Sequence, residues 1–136
     1  MASEAATCDG ETFDMILDEF IRESLVRVTE QNVASRAHIK EPNFDTLYVR
    51  LTRHYIDGVA YRPVLDIADV NVRENQRGRG IFTDFLDRVR EQYPVLHLYV
   101  ENVMEARFQK HLERYGFAVV EPRLDPPCYF LPAKGT

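Results

Sequence analysis

The residues best suited to chemistry fall in one short stretch, Val72-Arg73-Glu74-Asn75-Gln76-Arg77-Gly78-Arg79-Gly80-Ile81-Phe82, between a strand-like run and a helix-like one. Gly78 and Gly80 flank Arg79. A glycine takes backbone dihedrals closed to other residues and lets a ligand come close. The start of the following helix offers free N–H groups and a partial positive charge. With Arg73, Arg77 and Arg79 these make a cradle for an anion such as a small polyphosphate. Taken alone, the residues fit a glycine-rich turn with solvated arginines equally well. Two other phosphate turns are excluded: no Gly-Lys-Ser/Thr follows, and Thr83 stands where a G-x-G-x-x-G fingerprint needs its last glycine. Cys8 and Cys128 lie far apart, and His38, His54, His97 and His111 show no zinc spacing, so no metal is expected.

The elements that must position this turn follow from periodicity. From Glu11 to Thr29 the apolar residues Phe13, Ile16, Leu17, Phe20, Ile21 and Leu25 form one helical stripe, with Asp14, Asp18, Glu19, Arg22 and Glu23 on the other side. Residues 30–45 are polar and read as a linker with at most one helical turn. Leu47, Val49 and Leu51 alternate with Tyr48, Arg50 and Thr52, which is the strand period. Asp57-Gly58 signals a hairpin turn, and Val64 to Val72 is a second strand. Gly80 to Gln92 is helical, with Phe82, Phe85, Leu86 and Val89 on one face, until Tyr93-Pro94 stops it. Val95 to Val100 is a strand and Glu105 to Tyr115 a helix, with Gly116 at its C-terminal cap. Phe117 to Val120 and Cys128 to Leu131 are the last strands. Residues 1–10 read as a flexible terminus and 11–133 as one α/β domain, a mixed central sheet flanked by helices.

Composition narrows the function. The 136 residues are 45% hydrophobic and 29% charged, which excludes a disordered or collagen-like chain. No apolar run approaches the roughly 18 residues of a membrane span. Met1 to Gly10 lacks the basic and apolar regions of a signal peptide, so a cytoplasmic protein without a membrane partner is expected. The net charge is −5. Residues 1–30 carry two basic and eight acidic side chains, and residues 61–136 carry eleven of each. Nonspecific nucleic-acid binding needs a dominant basic field, so no nucleic-acid partner is expected.

The segment VNVRENQRGRGIFTDFL resembles the acetyl-coenzyme A signature of the GNAT N-acetyltransferases, in which a strand ending V-x-P is followed by [Q/R]-x-x-G-x-[G/A] and a helix. Val72 takes the valine position, Gly78 and Gly80 take the glycines, and Arg77 is the basic residue before the first. Asn75 replaces the usual Gln or Arg, and Glu74 a common Pro. EARFQKHLERYGF is similar to the family's last motif, N-x-x-A-x-x-x-Y-x-x-x-G-F. Gly116-Phe117 match it, while Glu105, Phe108 and Leu112 stand at the Asn, Ala and Tyr. The likeness spans about residues 64–120 and extends to short members of the family carried by phages.

The resemblance implies a single GNAT-like domain that moves an acetyl group from acetyl-coenzyme A to an amine of a small molecule or protein. The backbone of Val70, Asn71 and Val72 would bind the pantetheine arm and polarise the thioester carbonyl. The amides of Arg77, Gly78, Arg79, Gly80, Ile81 and Phe82 would hold the pyrophosphate. By alignment from the glycines, Asp66 is the first candidate for the base that neutralises the amine, and Asp69 the second. Both residues also suit a structural ion pair. The family's thiolate-protonating tyrosine is Leu112 here, which leaves Tyr115, Tyr99 or Tyr129 to substitute. Glu101 and Asn102 either line the coenzyme groove or cap the helix that follows. Cys128 lacks the partners of a nucleophile. The absent tyrosine and the acidic helix 11–29 suggest an alternative: a coenzyme-binding or catalytically silent protein that acts on a protein partner.

Overall fold

A computed structural model describes residues 14–135. The expected flexible terminus, residues 1–10, and Phe13 of the helical stripe lie outside the described residues. Seven strands form one mixed sheet. They are β1 (Asp14–Met15), β2 (Ser35–Ile39), β3 (Phe44–Ile56), β4 (Val59–Val72), β5 (His97–Val100), β6 (Ala118–Val119) and β7 (Tyr129–Leu131), in the order β1-β2-β3-β4-β5-β7-β6. β1 pairs β2 and β4 pairs β5 in parallel, and the other pairs are antiparallel. Three helices, α1 (Leu17–Glu30), α2 (Ile81–Gln92) and α3 (Ala106–Tyr115), and one 3₁₀ turn complete the regular structure of the described residues.

All three helices cover the same face of the sheet. Leu17, Phe20, Ile21 and Val28 of α1, Phe82, Phe85, Leu86 and Val89 of α2, and Leu112 of α3 are buried in one core. Leu47, Val49 and Leu51 of β3, Leu65 and Ile67 of β4, and Leu98 and Val100 of β5 meet them there. Side-chain contacts tie the helical layer together: the Tyr93 hydroxyl after α2 donates to Asp18 of α1, and Phe82 of α2 meets Phe108 of α3 with centroids 5.3 Å apart. Strand alternation sends the intervening residues to the other face, where Val64, Tyr99, Cys128 and Phe130 form a small separate cluster.

The hairpin turn and the alternation of β3 are as expected. Asp57 and Gly58 have φ of 53° and 79°, the paired left-handed residues of a two-residue hairpin. Two expectations change. Residues 30–45 are not simply a linker, because they contain β2. Ala37 and Ile39 are buried and alternate with exposed Arg36 and His38, a period too short to see among polar neighbours until β1 and β3 pair with it. The first helix also starts later than expected. Asp14–Met15 is a strand, and Ile16, at 56% exposed, sits at the helix's N-cap position outside the buried stripe.

β4 is irregular at one place that matters. Tyr48 pairs with Asp69 while Val49 pairs with Ile67, so Ala68 is an extra residue, a β-bulge. A bulge bends the strand and increases its twist. It also restores the side-chain phase. Asp66 and Asp69, three residues apart, both stand opposite residues of the bare face, Arg50 and Tyr48.

Candidate active site

β4 outruns its parallel neighbour. β5 pairs only with Val64 to Ile67, and the last bond across the pair runs from the Glu101 N–H to the Ile67 carbonyl at 3.1 Å. From Ala68 to Val72, β4 keeps β3 on one side and has no strand on the other. That stretch therefore presents strand-type backbone donors and acceptors along an open edge. Val70 and Val72 turn their side chains into the helical core, as their apolar character requires, and Asn71 is exposed.

The open edge leads directly into the turn. A single 3₁₀ turn, Glu74–Gln76, is closed by the Arg77 N–H on the Glu74 carbonyl. The Arg77 guanidinium folds back on the strand end, donating to the Val72 carbonyl at 3.0 Å and to Asn71 Oδ1 at 2.7 Å. Arg77 thus shapes the turn with both its backbone and its side chain. Gly78 and Gly80 have φ of 81° and 75°, and a Cβ built on either meets nothing within 4 Å. Only glycine adopts this conformation readily, and the space above it is empty. The first bond of α2 is from the Asp84 N–H to the Gly80 carbonyl at 2.9 Å, so the amides of Ile81, Phe82 and Thr83 have no partner within the helix. Arg79 is exposed and has no hydrogen-bond or ion-pair partner among the described residues.

Where β4 and β5 part, three strands, β3, β4 and β5, and the residues that flank them bring titratable side chains together on the bare face. Asp66 is 1% exposed. Its Oδ2 lies 3.0 Å from His54 Nε2 and 3.6 Å from Arg50 NH1, while Oδ1 has no hydrogen-bond partner among the described residues. The same Arg50 nitrogen donates to Glu101 Oε2. Burial first, then the neighbouring Asp66, push the Glu101 carboxyl up to about 7 against the pull of Arg50. The His54 ring stacks on Tyr99, with centroids 3.9 Å apart and planes 4° from parallel. The Tyr99 hydroxyl is raised, first by burial and then by its hydrogen bond to Cys128.

The candidates named from sequence separate cleanly in space. Asp66 belongs to the cluster. Asp69 is exposed, one step along the same face. Of the three tyrosines, Tyr99 alone joins Asp66. Tyr115 and Tyr129 lie on the helical side, donating to Asp87 and Glu113. Leu112 is fully buried in the core, so that position presents no group to a ligand. Glu101 caps nothing: α3 begins at Ala106 with Glu105 before it and no side-chain cap. Arg50 and His54 were not singled out from sequence. His97 is structural; its Nδ1 accepts the Ala133 N–H at 2.9 Å, and burial lowers its pKa. A cavity of about 660 Å³ beside Arg73, lined by His38, Lys40, Glu41 and Asp45 among others, contains none of Asp66, Tyr99 or Glu101. Among the described residues, no helix is long and apolar enough to cross a membrane.

No protein-family model matches the sequence, and no curated protein matches it. Among solved structures, a candidate acetyltransferase from Agrobacterium tumefaciens is similar over 96% of this chain and 90% of its own, at 19% identity and a TM-score of 0.49. AtaT complexed with acetyl-methionyl-tRNAfMet is similar over 85% and 81%, at 14% identity and a TM-score of 0.47. AtaTR bound with acetyl-coenzyme A is similar over 87% and 79%, at 16% identity and a TM-score of 0.49. Scores of this size describe a shared outline and carry no functional weight.

Proposed function

We propose that the protein transfers an acetyl group from acetyl-coenzyme A to an amine, small or protein-borne, by direct attack within one ternary complex. The observation that carries this reading is the bare edge of β4 from Ala68 to Val72, which runs without a break into the Gly78–Gly80 turn and the unpartnered amides of α2. An extended amide-bearing arm ending in a pyrophosphate needs those features in that order: strand edge, then anion cradle. The empty space over both glycines is the part of the cradle that a side chain would fill.

Bound there, acetyl-coenzyme A would supply an activated acyl group at the point where β4 leaves β5. The chain's own groups do the rest. The backbone of Val70, Asn71 and Val72 holds the arm, and the amides of Gly78 to Phe82 with the side chain of Arg79 hold the phosphates. Backbone N–H groups near the bulge face the site where charge develops on the acyl oxygen. Asp66 is the base, with Asp69 the next carboxylate on that face. Arg50 bridges the buried Asp66 carboxyl and the part-exposed Glu101 carboxyl.

Calorimetric titration with acetyl-coenzyme A tests the reading. The wild type is expected to bind. Gly78→Glu is expected to abolish binding while the circular dichroism spectrum is kept, since the turn is exposed and the new carboxylate would enter the cradle. Equal affinity in the variant would overturn the assignment.

A further inference from the structure

We infer that the outer edge of the β3 tip, from Arg53 to Asp57, pairs with the same edge of a second copy of this chain, antiparallel and about a two-fold axis at Tyr55. The pairing stands apart from the transfer reaction and follows from the lengths of the strands. β2 pairs with β3 only from Tyr48 to Leu51, and β5 pairs with β4 only from Val64 to Ile67. Beyond those pairs β3 and β4 run on as a two-stranded ribbon, Thr52 to Pro63, closed by Asp57-Gly58. From Leu51 to Ile56 the ribbon extends the sheet by about 17 Å, at ~3.4 Å a residue. Its root is anchored: His54 stacks on Tyr99, and Tyr61 meets Phe130 with centroids 4.7 Å apart. Its tip is not: Tyr55 is 66% exposed and Val59 49%. A two-stranded ribbon is marginal in water by itself and gains from a third strand.

The two edges of the ribbon are not alike. On the β4 side the pairs Val64–Thr52 and Tyr61–His54 are separated by one residue more than on β3, and Pro63, which lies in that gap, has no N–H to donate. A bulge and a proline are devices that keep an edge from pairing. On the β3 side, Thr52 to Ile56 carries neither. Ile56 and Val59 flank the two-residue turn as its hydrogen-bonded pair, so Ile56 and His54 aim their backbone groups at β4. Arg53 and Tyr55 aim theirs outward. The Arg53 guanidinium lies 5.7 Å from the centroid of the Tyr55 ring. Neither the Arg53 nor the Asp57 side chain has an ion-pair partner among the described residues. Closed pairing of two identical edges has two-fold symmetry, and strands so related run antiparallel. With the axis at Tyr55, that residue faces its own copy and exchanges both backbone bonds with it. Arg53 of each copy then falls opposite Asp57 of the other. Two charges that the single chain leaves unanswered are thereby matched twice, and opposite charges across a ladder stabilise it where like charges weaken it. An axis at His54 would instead set Arg53 against Tyr55 and leave both charges unmatched. The occupant of this edge is therefore a second copy, and the register is the one its charges select.

Sedimentation equilibrium of the full chain over a series of concentrations tests the pairing. The wild type is expected to be a reversible dimer. Arg53→Asp strikes both charge pairs at once and is expected to raise the dissociation constant about 2- to 30-fold. Its circular dichroism spectrum is expected to be unchanged, since Arg53 is exposed. Asp57→Asn keeps a residue suited to the left-handed turn and is expected to weaken the dimer in the same direction. Cross-linking then locates the axis. In a Cys8→Ser background, Tyr55→Cys would oppose two thiols whose Cα atoms are about 5.5 Å apart, within reach of a disulfide. In a glutathione redox buffer this variant is expected to form a linked dimer. Ala60→Cys, exposed on the other edge of the same tip, is expected to stay single. A wild type that is monomeric throughout would overturn the inference, including the case in which the edge takes a strand of another protein. So would a dimer that Arg53→Asp leaves as tight as before, or one that links as readily through residue 60 as through residue 55.

Discussion

The two faces of the sheet obey opposite rules. The covered face is apolar: Phe20, Phe85, Leu86 and Leu112 are each at most 2% exposed, and Ser24 is the one buried polar residue that the helices bring to it. The bare face keeps Asp66 buried among Arg50, His54, Tyr99 and Glu101, with an oxygen left unbonded. Burying a polar group without a partner costs free energy that packing on the other side must offset. Stability is therefore concentrated on one surface of the sheet and the titratable cluster on the other, separated by the thickness of a single layer.

The sharpest way to break this contrast is on the covered face. Phe85→Ala is expected to cost about 3–5 kcal/mol in urea denaturation, the usual penalty for an emptied aromatic site. A loss below about 1 kcal/mol would mean that the helical layer is not the source of stability. On the bare face, Asp66→Asn is expected to lower turnover about 10²-fold and to leave coenzyme affinity alone. Equal turnover from about pH 6 to 9 would move the base to Asp69.

A third, smaller effect distinguishes the faces by pH. Glu101 holds its proton more tightly in the fold than in the unfolded chain, about 7 against an ordinary 4.5. Its contribution to stability is thus complete below the unfolded value and is lost as pH rises through the folded one. Glu101→Gln removes that loss. Its melting temperature relative to the wild type is expected to rise between about pH 4.5 and 7 and to be flat above. A constant difference across that window would show that Glu101 titrates normally. The smallest effect is expected from reversing Asp18 and Glu19 on α1. Asp18 is held by Arg22 at 3.5 Å and by the Tyr93 hydroxyl, so this is only partly a free acidic surface. Stability should fall by about 0.2–1 kcal/mol and coenzyme affinity should not change. Altered acceptor or partner capture by that variant would give the acidic helix a role in recognition.

What could be read in advance divides by how local the cause is. The turn at Gly78 and Gly80 acts through backbone conformation and the start of α2, all set by adjacent residues, so the sequence carries its signal. The helices of residues 81–92 and 106–115 also carry theirs, as apolar stripes and stops. The Asp66 cluster depends on register, which neighbours do not reveal. Counting outward from Asp57-Gly58, Ile56 faces Val59 and His54 faces Tyr61. Strict continuation would place Asp66 opposite Val49, which points into the helical core. The ladder instead slips by one residue between Thr52 and His54, which sets Arg50 against Asp66. It slips again at Ala68. Arg50 and His54 were invisible as partners because nothing in their own strand encodes that slip. β2 was missed for a related reason: five residues with two buried side chains become a strand only between neighbours.

Ala68 carries one more consequence. A gene that lost this single codon would encode a tidier strand at this point: the Tyr48 and Val49 pairs would follow one another without a gap, the slips at Thr52–His54 and Phe44–Thr46 would stay, and every later side chain would keep its present face. The chain would also lose the local bend of β4 directly after its last pair with β5. The flaw in the ladder thus gives up one backbone pairing with β3 and sets a bend beside the point where β4 runs on without β5.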